Sequence, residues 1–417
     1  MVDFGGEQAE SCWRSSRLLA DGRQIIYFDE APDTGRADVP DGRDLPPVTL
    51  PPGDVSVAAP AGDGDSGAAA GHFGAPGDSS GELRFDPLLG EWVGYAATRQ
   101  DRTFLPAVES CPLCPTRPGF RTEIPAAGYD VVVFENRFPV LHGASGDRGS
   151  GAGPVSGDPA DLAATAADTF RIRRPGYGRC EVICFTADHD ASFASLDARR
   201  VRTVMQAWAD RTRELGSIPG IEHVYCFENS GEAVGVTLRH PHGQIYAWPF
   251  VPPLIRQLTA SARAYRARWD RNLFDDLVAS ELADGRRIVA RNDHWVAFVP
   301  AAARWPYEVM IFPVVRVADL PALSGPAKAA FGEIGLDVLR RMGQLFAMPM
   351  PYIAAWQQAP VHDQAARAEF AVHLQILGFL RARGKLKYLA GTESGAGVWS
   401  NDVLPETAAR MLREAGP

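Results

Sequence analysis

The stretch Thr237–Phe250, TLRHPHGQIYAWPF, sets two of the chain's nine histidines, His240 and His242, on either side of one proline and follows them with Gly243 and Gln244. A lone histidine among strand-like apolar residues is most simply a satisfied interior side chain. Here His240, His242 and Gln244 alternate with Pro241 and Gly243, and a period of two on a strand places the three polar groups on one face. A neutral imidazole with one nitrogen held as an N–H donor by a carbonyl keeps its other lone pair free to attack. Gln244 then offers an amide N–H to a phosphoryl oxygen as charge builds on it. Gly243 would leave a ligand room beside the backbone, although a strand glycine equally marks a bulge. Upstream, CFENSGEAVGVT places Asn229, Gly231 and Gly235 in a small-residue loop whose N–H groups could cradle phosphates, as well as form an ordinary turn.

Cys111 and Cys114, in Cys-Pro-Leu-Cys, supply half of a tetrahedral metal site, and no second Cys-x-x-Cys follows. Cys180, Cys184 and Cys226 sit in apolar strands and read as core cysteines. The further ligands are therefore sought among histidines: His189 in TADHDAS, and His240. On that reading His240 binds metal and His242 does chemistry. The alternative is a reduced cysteine pair without metal. Arg99 and Arg102, in YAATRQDRTF, are candidates for bidentate contacts to a diphosphate or sugar phosphate, or else two solvated arginines at a strand end.

The elements that must position these residues form a weak internal repeat. YDVVVFENRFPVL and RCEVICFTADHDASFASL reappear in outline as HWVAFVPAAARWPYEVMIFPVVRVADLPAL. Each copy reads strand, turn, strand, helix start, and continues into a helix (Asp197 to Leu215; Gly325 to Phe346) and a further strand pair. Meandering strands followed by helices predict an α+β fold with an antiparallel sheet in each half. The expected organisation is an N-terminal extension over 1–45 with a short strand at Ile25 to Phe28, a disordered Gly/Ala/Pro/Ser/Asp-rich linker over 46–81, and domains over 82–253 and 254–417. A second low-complexity stretch, from His142, is expected to be a mobile surface loop.

With 417 residues and 46% hydrophobic content, the chain can bury a large core spread over two domains. A net charge of −9 excludes a general attraction to nucleic acid or anionic lipid, so any phosphate ligand must be small and locally held. No apolar run reaches the ~18 residues of a membrane span, and the N-terminus lacks a secretory signal, so a cytoplasmic location is expected. Six cysteines are too few for a disulfide scaffold in a chain of this length.

FENSGEAVGVTLRHPHGQIYAWPF, taken with Cys-Pro-Leu-Cys, ENRFPVL, CFTADHDASF and the opening RFDPLLGEWVGYAATRQDR, resembles the galactose-1-phosphate uridylyltransferase family of the histidine triad superfamily, over roughly Leu83 to the C-terminus. The resemblance implies two tandem histidine-triad-like domains, each a mostly antiparallel sheet with packed helices, and a homodimer whose active sites draw on both subunits. It makes His242 the nucleophile toward the α-phosphorus of UDP-glucose, giving a uridylyl-histidine and glucose 1-phosphate. Galactose 1-phosphate then takes the uridylyl group in a ping-pong cycle. Gln244 resembles the family's phosphoryl-binding glutamine, at a position where histidine-triad hydrolases carry a third histidine.

By the same resemblance, Asn229 and Thr237 are phosphate-loop contacts, Asn136 and Phe138 lie on the uridine side, and Arg99 and Arg102 form the arginine pair near the diphosphate. Cys111, Cys114, His189 and His240 match the ligands of one structural zinc per chain. A second metal is not expected, because no acidic residue stands between Pro253 and Asp270, Gln357 takes the place of a histidine, and a later histidine pair is reduced to His373. GKLKYLAGTESGAG resembles the hexose-binding segment and makes Lys387 and Glu393 contacts with the sugar. Two other readings stay open: a nucleoside-diphosphate-sugar or dinucleoside-polyphosphate phosphorylase using the same histidine, and a zinc-stabilised nucleotide-binding module without catalysis.

Overall fold

The computed structural model describes residues 2–3, 12–45, 56–57, 81–96, 104–143, 165 and 168–416. Most of the expected linker, most of the low-complexity stretch after His142, and both Arg99 and Arg102 lie outside the described residues. Within the expected linker, Ser56–Val57 forms a two-residue strand antiparallel to Ile172–Arg173, so that point carries sheet pairing.

Runs rich in Val, Ile, Phe, Tyr and Trp form the strands, as β-branched and aromatic side chains favour a pleated surface. We label them β1 (Trp13–Leu18), β2 (Gln24–Asp29), β3 (Val131–Glu135), β4 (Tyr177–Cys184), β5 (His223–Ser230), β6 (His242–Trp248), β7 (Ile288–Arg291), β8 (Trp295–Phe298), β9 (Val309–Pro313), β10 (Tyr352–Gln357) and β11 (His373–Gly378). They stand side by side in one sheet in the order β1-β2-β3-β4-β6-β5-β10-β11-β9-β8-β7, all antiparallel. The repeat is visible in this order, since β3-β4-β6-β5 of the first half mirrors β8-β9-β11-β10 of the second. The two expected sheets are continuous: β5 pairs with β10 from Phe227 opposite Ala355 to Ser230 opposite Tyr352.

Helices α1 (Ala198–Gly216) and α2 (Gly325–Gln344) cover one face of the seam. Asp197 caps α1 by accepting from the N–H of Arg200, and Ser324 caps α2 by accepting from that of Ala327, in each case satisfying an otherwise orphaned donor. Between helices and sheet lies an aromatic cluster centred on Trp356 of β10, with Phe331 at 5.1 Å and Trp208 and Trp295 each at 6.1 Å between ring centroids. Trp356 is fully buried, and truncating so large a side chain costs ~3–5 kcal/mol. This cluster joins α1 of the first half to α2 and β8 of the second.

The strand expected at Ile25 to Phe28 is β2, and it is internal to the sheet rather than laid upon it, with β1 on one side and β3 on the other. Its residues alternate between the two faces. Ile26 and Phe28 enter the core under α1, while Ile25 and Tyr27 meet the opposite cluster that contains Cys111, Leu113, Cys114 and Tyr129. Cross-strand register therefore aligns Tyr27, Val132, Cys184 and His242 in one row, and Ile25, Phe134, Val182 and Gln244 in the next.

Candidate functional site

On this second face, Gln244 sits opposite Val182 and His242 opposite Cys184, so two residues of period two present adjacent polar groups. Both line a cavity of about 180 Å³, together with Thr237, Asn136 and Phe138. The cavity is also lined by Pro112 and Leu113, the two residues between the cysteines of Cys-Pro-Leu-Cys, and by Glu123 and Arg137.

The imidazole of His242 donates from Nδ1 to the carbonyl oxygen of His240 at 2.8 Å. That bond fixes the tautomer and leaves Nε2 with its lone pair. Burial lowers the ring's pKa below the usual imidazole value, although the His240 carbonyl opposes it. Gln244 is oriented in the same way: its Oε1 accepts from the Tyr246 hydroxyl at 3.0 Å, so its Nε2 remains a donor. Asn136 accepts the N–H of Phe138 at 2.8 Å through Oδ1, which turns the chain at the end of β3 and frees its own amide N–H groups.

Gly243 has a different reason from the expected one. A Cβ there would lie 2.8 Å from the Phe227 carbonyl oxygen and 2.9 Å from Cζ of Phe185, on the helix-facing side. The glycine is needed for strand and core packing behind the site, not for space in front of it.

His240 precedes β6 and is buried. Its ring meets Cys111, Cys114 and His189, and one ligand atom from each of the four lies within 4.8 Å of every other. Sγ of Cys114 is 3.4 Å from Nδ1 of His189 and 3.6 Å from Nδ1 of His240. Sulfur at ~2.3 Å and nitrogen at ~2.0–2.1 Å around a tetrahedral cation would be separated by about 3.5 Å, so the residues fit such an ion. Nε2 of His240 faces the Thr186 carbonyl oxygen at 2.8 Å and the Tyr129 hydroxyl at 2.7 Å, partners of the kind that orient a metal-binding histidine. Burial, and then Cys111, push the Cys114 thiol up to about 12; a bound cation would supply the charge that lets it ionise. This is the one such group among the described residues.

Other sequence-predicted residues are placed less closely. Asn229 is near the end of β5, opposite Ile353, and does not line the cavity. Lys387 and Glu393 meet each other, Nζ to Oε1 at 3.1 Å, and likewise do not line it. The Thr392 hydroxyl and then Lys387 hold the Glu393 carboxyl down to about 2. His373, at the start of β11, repeats the local geometry of His242: its Nδ1 donates to the carbonyl of Ala371, two residues back, at 2.9 Å. There the likeness stops, because His373 is buried and stacks on Phe312 at 4.3 Å, with Phe274 and Phe370 nearby.

Sequence reasoning missed Glu123, Tyr129 and the wall formed by Pro112 and Leu113. Tyr129 opened the quoted motif YDVVVFENRFPVL, but nothing in its spacing pointed to His240. No described helix is long and apolar enough to cross a membrane.

Comparison with known proteins bears on these observations. The family described as galactose-1-phosphate uridyl transferase, N-terminal domain, matches residues 77–252, and the corresponding C-terminal domain matches residues 259–416. The galactose-1-phosphate uridylyltransferase of Streptomyces lividans is 39% identical over 416 residues, covering 96% of this chain and 97% of its own length. That of Thermotoga maritima is 34% identical over 333 residues, covering 80% and 98%. A solved structure described as a uridylyltransferase has a TM-score of 0.66 at 29% identity, over 80% of this chain and 98% of its own. An ADP-glucose phosphorylase from Arabidopsis thaliana shares the fold, with a TM-score of 0.59 at 22% identity.

Proposed function

The chain belongs to the galactose-1-phosphate uridylyltransferase family, and we propose from that premise a role for each residue of the site. The enzyme moves UMP from UDP-glucose to galactose 1-phosphate, yielding UDP-galactose and glucose 1-phosphate. In the proposed mechanism, Nε2 of His242 attacks the α-phosphorus and the bond to the departing glucose 1-phosphate oxygen breaks, leaving a uridylyl-histidine. Galactose 1-phosphate then attacks the same phosphorus, and the imidazole leaves. Dividing the transfer into two displacements lets one binding site serve donor and acceptor in turn.

The observation that carries this reading is the bond from Nδ1 of His242 to the His240 carbonyl, which aims the free nitrogen's ring into the cavity that Gln244 also lines. Gln244 donates to the phosphoryl oxygen as its charge grows. Thr237 and Asn229 serve the phosphates, Asn136 and Phe138 the uridine, and Arg99 and Arg102 the diphosphate. Cys111, Cys114, His189 and His240 would hold one structural zinc, favoured by the two-sulfur, two-nitrogen donor set, and a cation bound there would anchor the loop that carries Pro112 and Leu113. A second metal is not proposed. Lys387 and Glu393 contact the hexose in a homodimer whose sites draw on both subunits, consistent with their absence from the cavity of their own chain. The domains are taken as 82–253 and 254–417, and the location as cytoplasmic.

Incubation with UDP-glucose labelled in its α-phosphate, followed by mass spectrometry, tests the mechanism. A uridylyl group on His242 supports it. Labelling that survives in His242→Ala, or turnover with inorganic phosphate but not with galactose 1-phosphate, sinks it.

A further inference from the structure

Ahead of the family's matched region, which begins at residue 77, lies the β1–β2 hairpin with the segment that follows it to residue 45. Three basic side chains converge on Glu123. Nη2 of Arg23 donates to its Oε2, Nη1 of Arg43 donates to Oε1 at 2.9 Å, and Nη1 of Arg137 lies 3.7 Å from Oε1. Arg23 and Arg43 come from the N-terminal segment and are themselves fixed. Arg23 is clamped by Asp21 at 2.7 Å and by the Glu135 carbonyl at 2.8 Å, and Arg43 by Asp41 at 2.8 Å. The backbone N–H of Glu123 donates to the Pro112 carbonyl at 3.0 Å, which ties it to the metal-binding loop.

Glu123 nonetheless lines the same cavity as His242, Asn136 and Phe138. Buried ion networks add little net stability over apolar packing, so the arrangement is not explained by stability alone. Charges balance within it, Arg23, Arg43 and Arg137 against Asp21, Asp41 and Glu123. A carboxylate so held cannot swing away, and each of its oxygens has acceptor capacity beyond the bonds already made. What it can accept from a nucleoside is a hydroxyl of the ribose or the N–H of the base.

Resting on the proposed uridylyl-binding reading of this cavity, we infer that the N-terminal hairpin is a working part of the nucleotide pocket: Arg23 and Arg43 position Glu123, and Glu123 accepts a hydrogen bond from the bound nucleoside. Glu123 is the binding residue; the two arginines act through it.

Calorimetric titration of the metal-loaded full chain with UDP tests the inference independently of turnover. Glu123→Gln is expected to weaken UDP about tenfold, the loss of one hydrogen bond to a charged acceptor. Arg43→Gln and Arg23→Gln are each expected to weaken UDP when Glu123 is present and to add nothing in the Glu123→Gln background. Should Arg23→Gln fail to fold, Arg43→Gln carries the same comparison. Titrations with 2′-deoxy-UDP, 3′-deoxy-UDP and N3-methyl-UDP locate the donor: the analogue lacking it should bind less well than UDP to the wild type and equally well to Glu123→Gln. Unchanged UDP affinity in Glu123→Gln, additive losses, or an analogue series in which Glu123→Gln discriminates as the wild type does would overturn the inference. Labelling of His242 in the presence of any of these would overturn it alone, whereas a wild-type protein that does not bind UDP removes the reading beneath it.

Discussion

Nδ1 of His242 lies 2.8 Å from the carbonyl oxygen of His240, so one residue offers its ring to the metal group and its backbone to the proposed nucleophile. Any displacement of His240 therefore reaches the His242 ring, and with it the Nε2 proposed to react, through a single hydrogen bond.

Metal removal should accordingly act on two observables together. Stripping the protein with a chelator, or replacing Cys114 by Ser, is expected to lower both the melting temperature and the rate of His242 uridylylation, because Pro112 and Leu113 lose their anchor and His240 its orientation. Thermal melts and labelling on the same samples measure this. A metal-free protein with an unchanged melting temperature would count against the assignment.

Replacing His242 by Ala is expected to reduce transfer by roughly 10⁴-fold or more, as for loss of a nucleophile in other covalent enzymes. UDP affinity should change far less. Parallel assays of turnover and of UDP binding distinguish this outcome from general misfolding.

For Gln244→Ala the expected loss is ~100-fold or more in kcat, near the ~3 kcal/mol that one preorganised donor contributes to a charged transition state. Tyr246→Phe should follow in the same direction with a smaller loss, since it only orients the amide. Steady-state kinetics decide the point, and a near-normal kcat for Gln244→Ala would make the residue structural.

Gly243→Ala separates packing from ligand access. With its Cβ driven against the Phe227 carbonyl and the Phe185 ring, the variant should lose ~1–3 kcal/mol of stability. Urea titration reads that loss directly. KM for UDP-glucose in the folded fraction should stay close to the wild-type value, and a large rise in KM without a stability change would restore the ligand-space explanation.

Glu228 is buried beneath the seam and accepts from the Tyr352 hydroxyl at 3.0 Å; burial raises its carboxyl to about 8. Because the folded pKa lies above the unfolded value of 4.5, the unfolded chain releases this proton first as pH rises. Stability from this group is full below pH 4.5 and declines toward pH 8. Glu228→Gln should therefore stabilise the protein at pH 7 by on the order of 3 kcal/mol and scarcely at all at pH 4. Denaturant unfolding at the two pH values measures the difference.

Much of the site could be read in advance because its information is local. His-Pro-His-Gly-Gln and Cys-Pro-Leu-Cys are short spacings with direct geometric meaning, and the repeat showed itself through matching helices and strands. The β5–β10 seam had no such signal, since it joins Phe227 to Ala355 across more than a hundred residues, and edge pairing leaves no period in either strand. Glu123 stands in an irregular loop, where neither helical nor strand spacing marks which way a side chain turns. Gly243 was misread for a related reason: sequence shows that a side chain is missing but not which neighbour would have met it.

The same seam bears on how the protein can be cut. Residues 82–253 expressed alone would end their sheet at β5, whose N–H and C=O groups from Phe227 to Ser230 are occupied by β10 in the intact chain. Such a fragment would present an unprotected strand edge and half an aromatic cluster to water, and would tend to aggregate. What reads along the chain as a duplication into two modules is, in space, one continuous sheet whose halves close each other's edges.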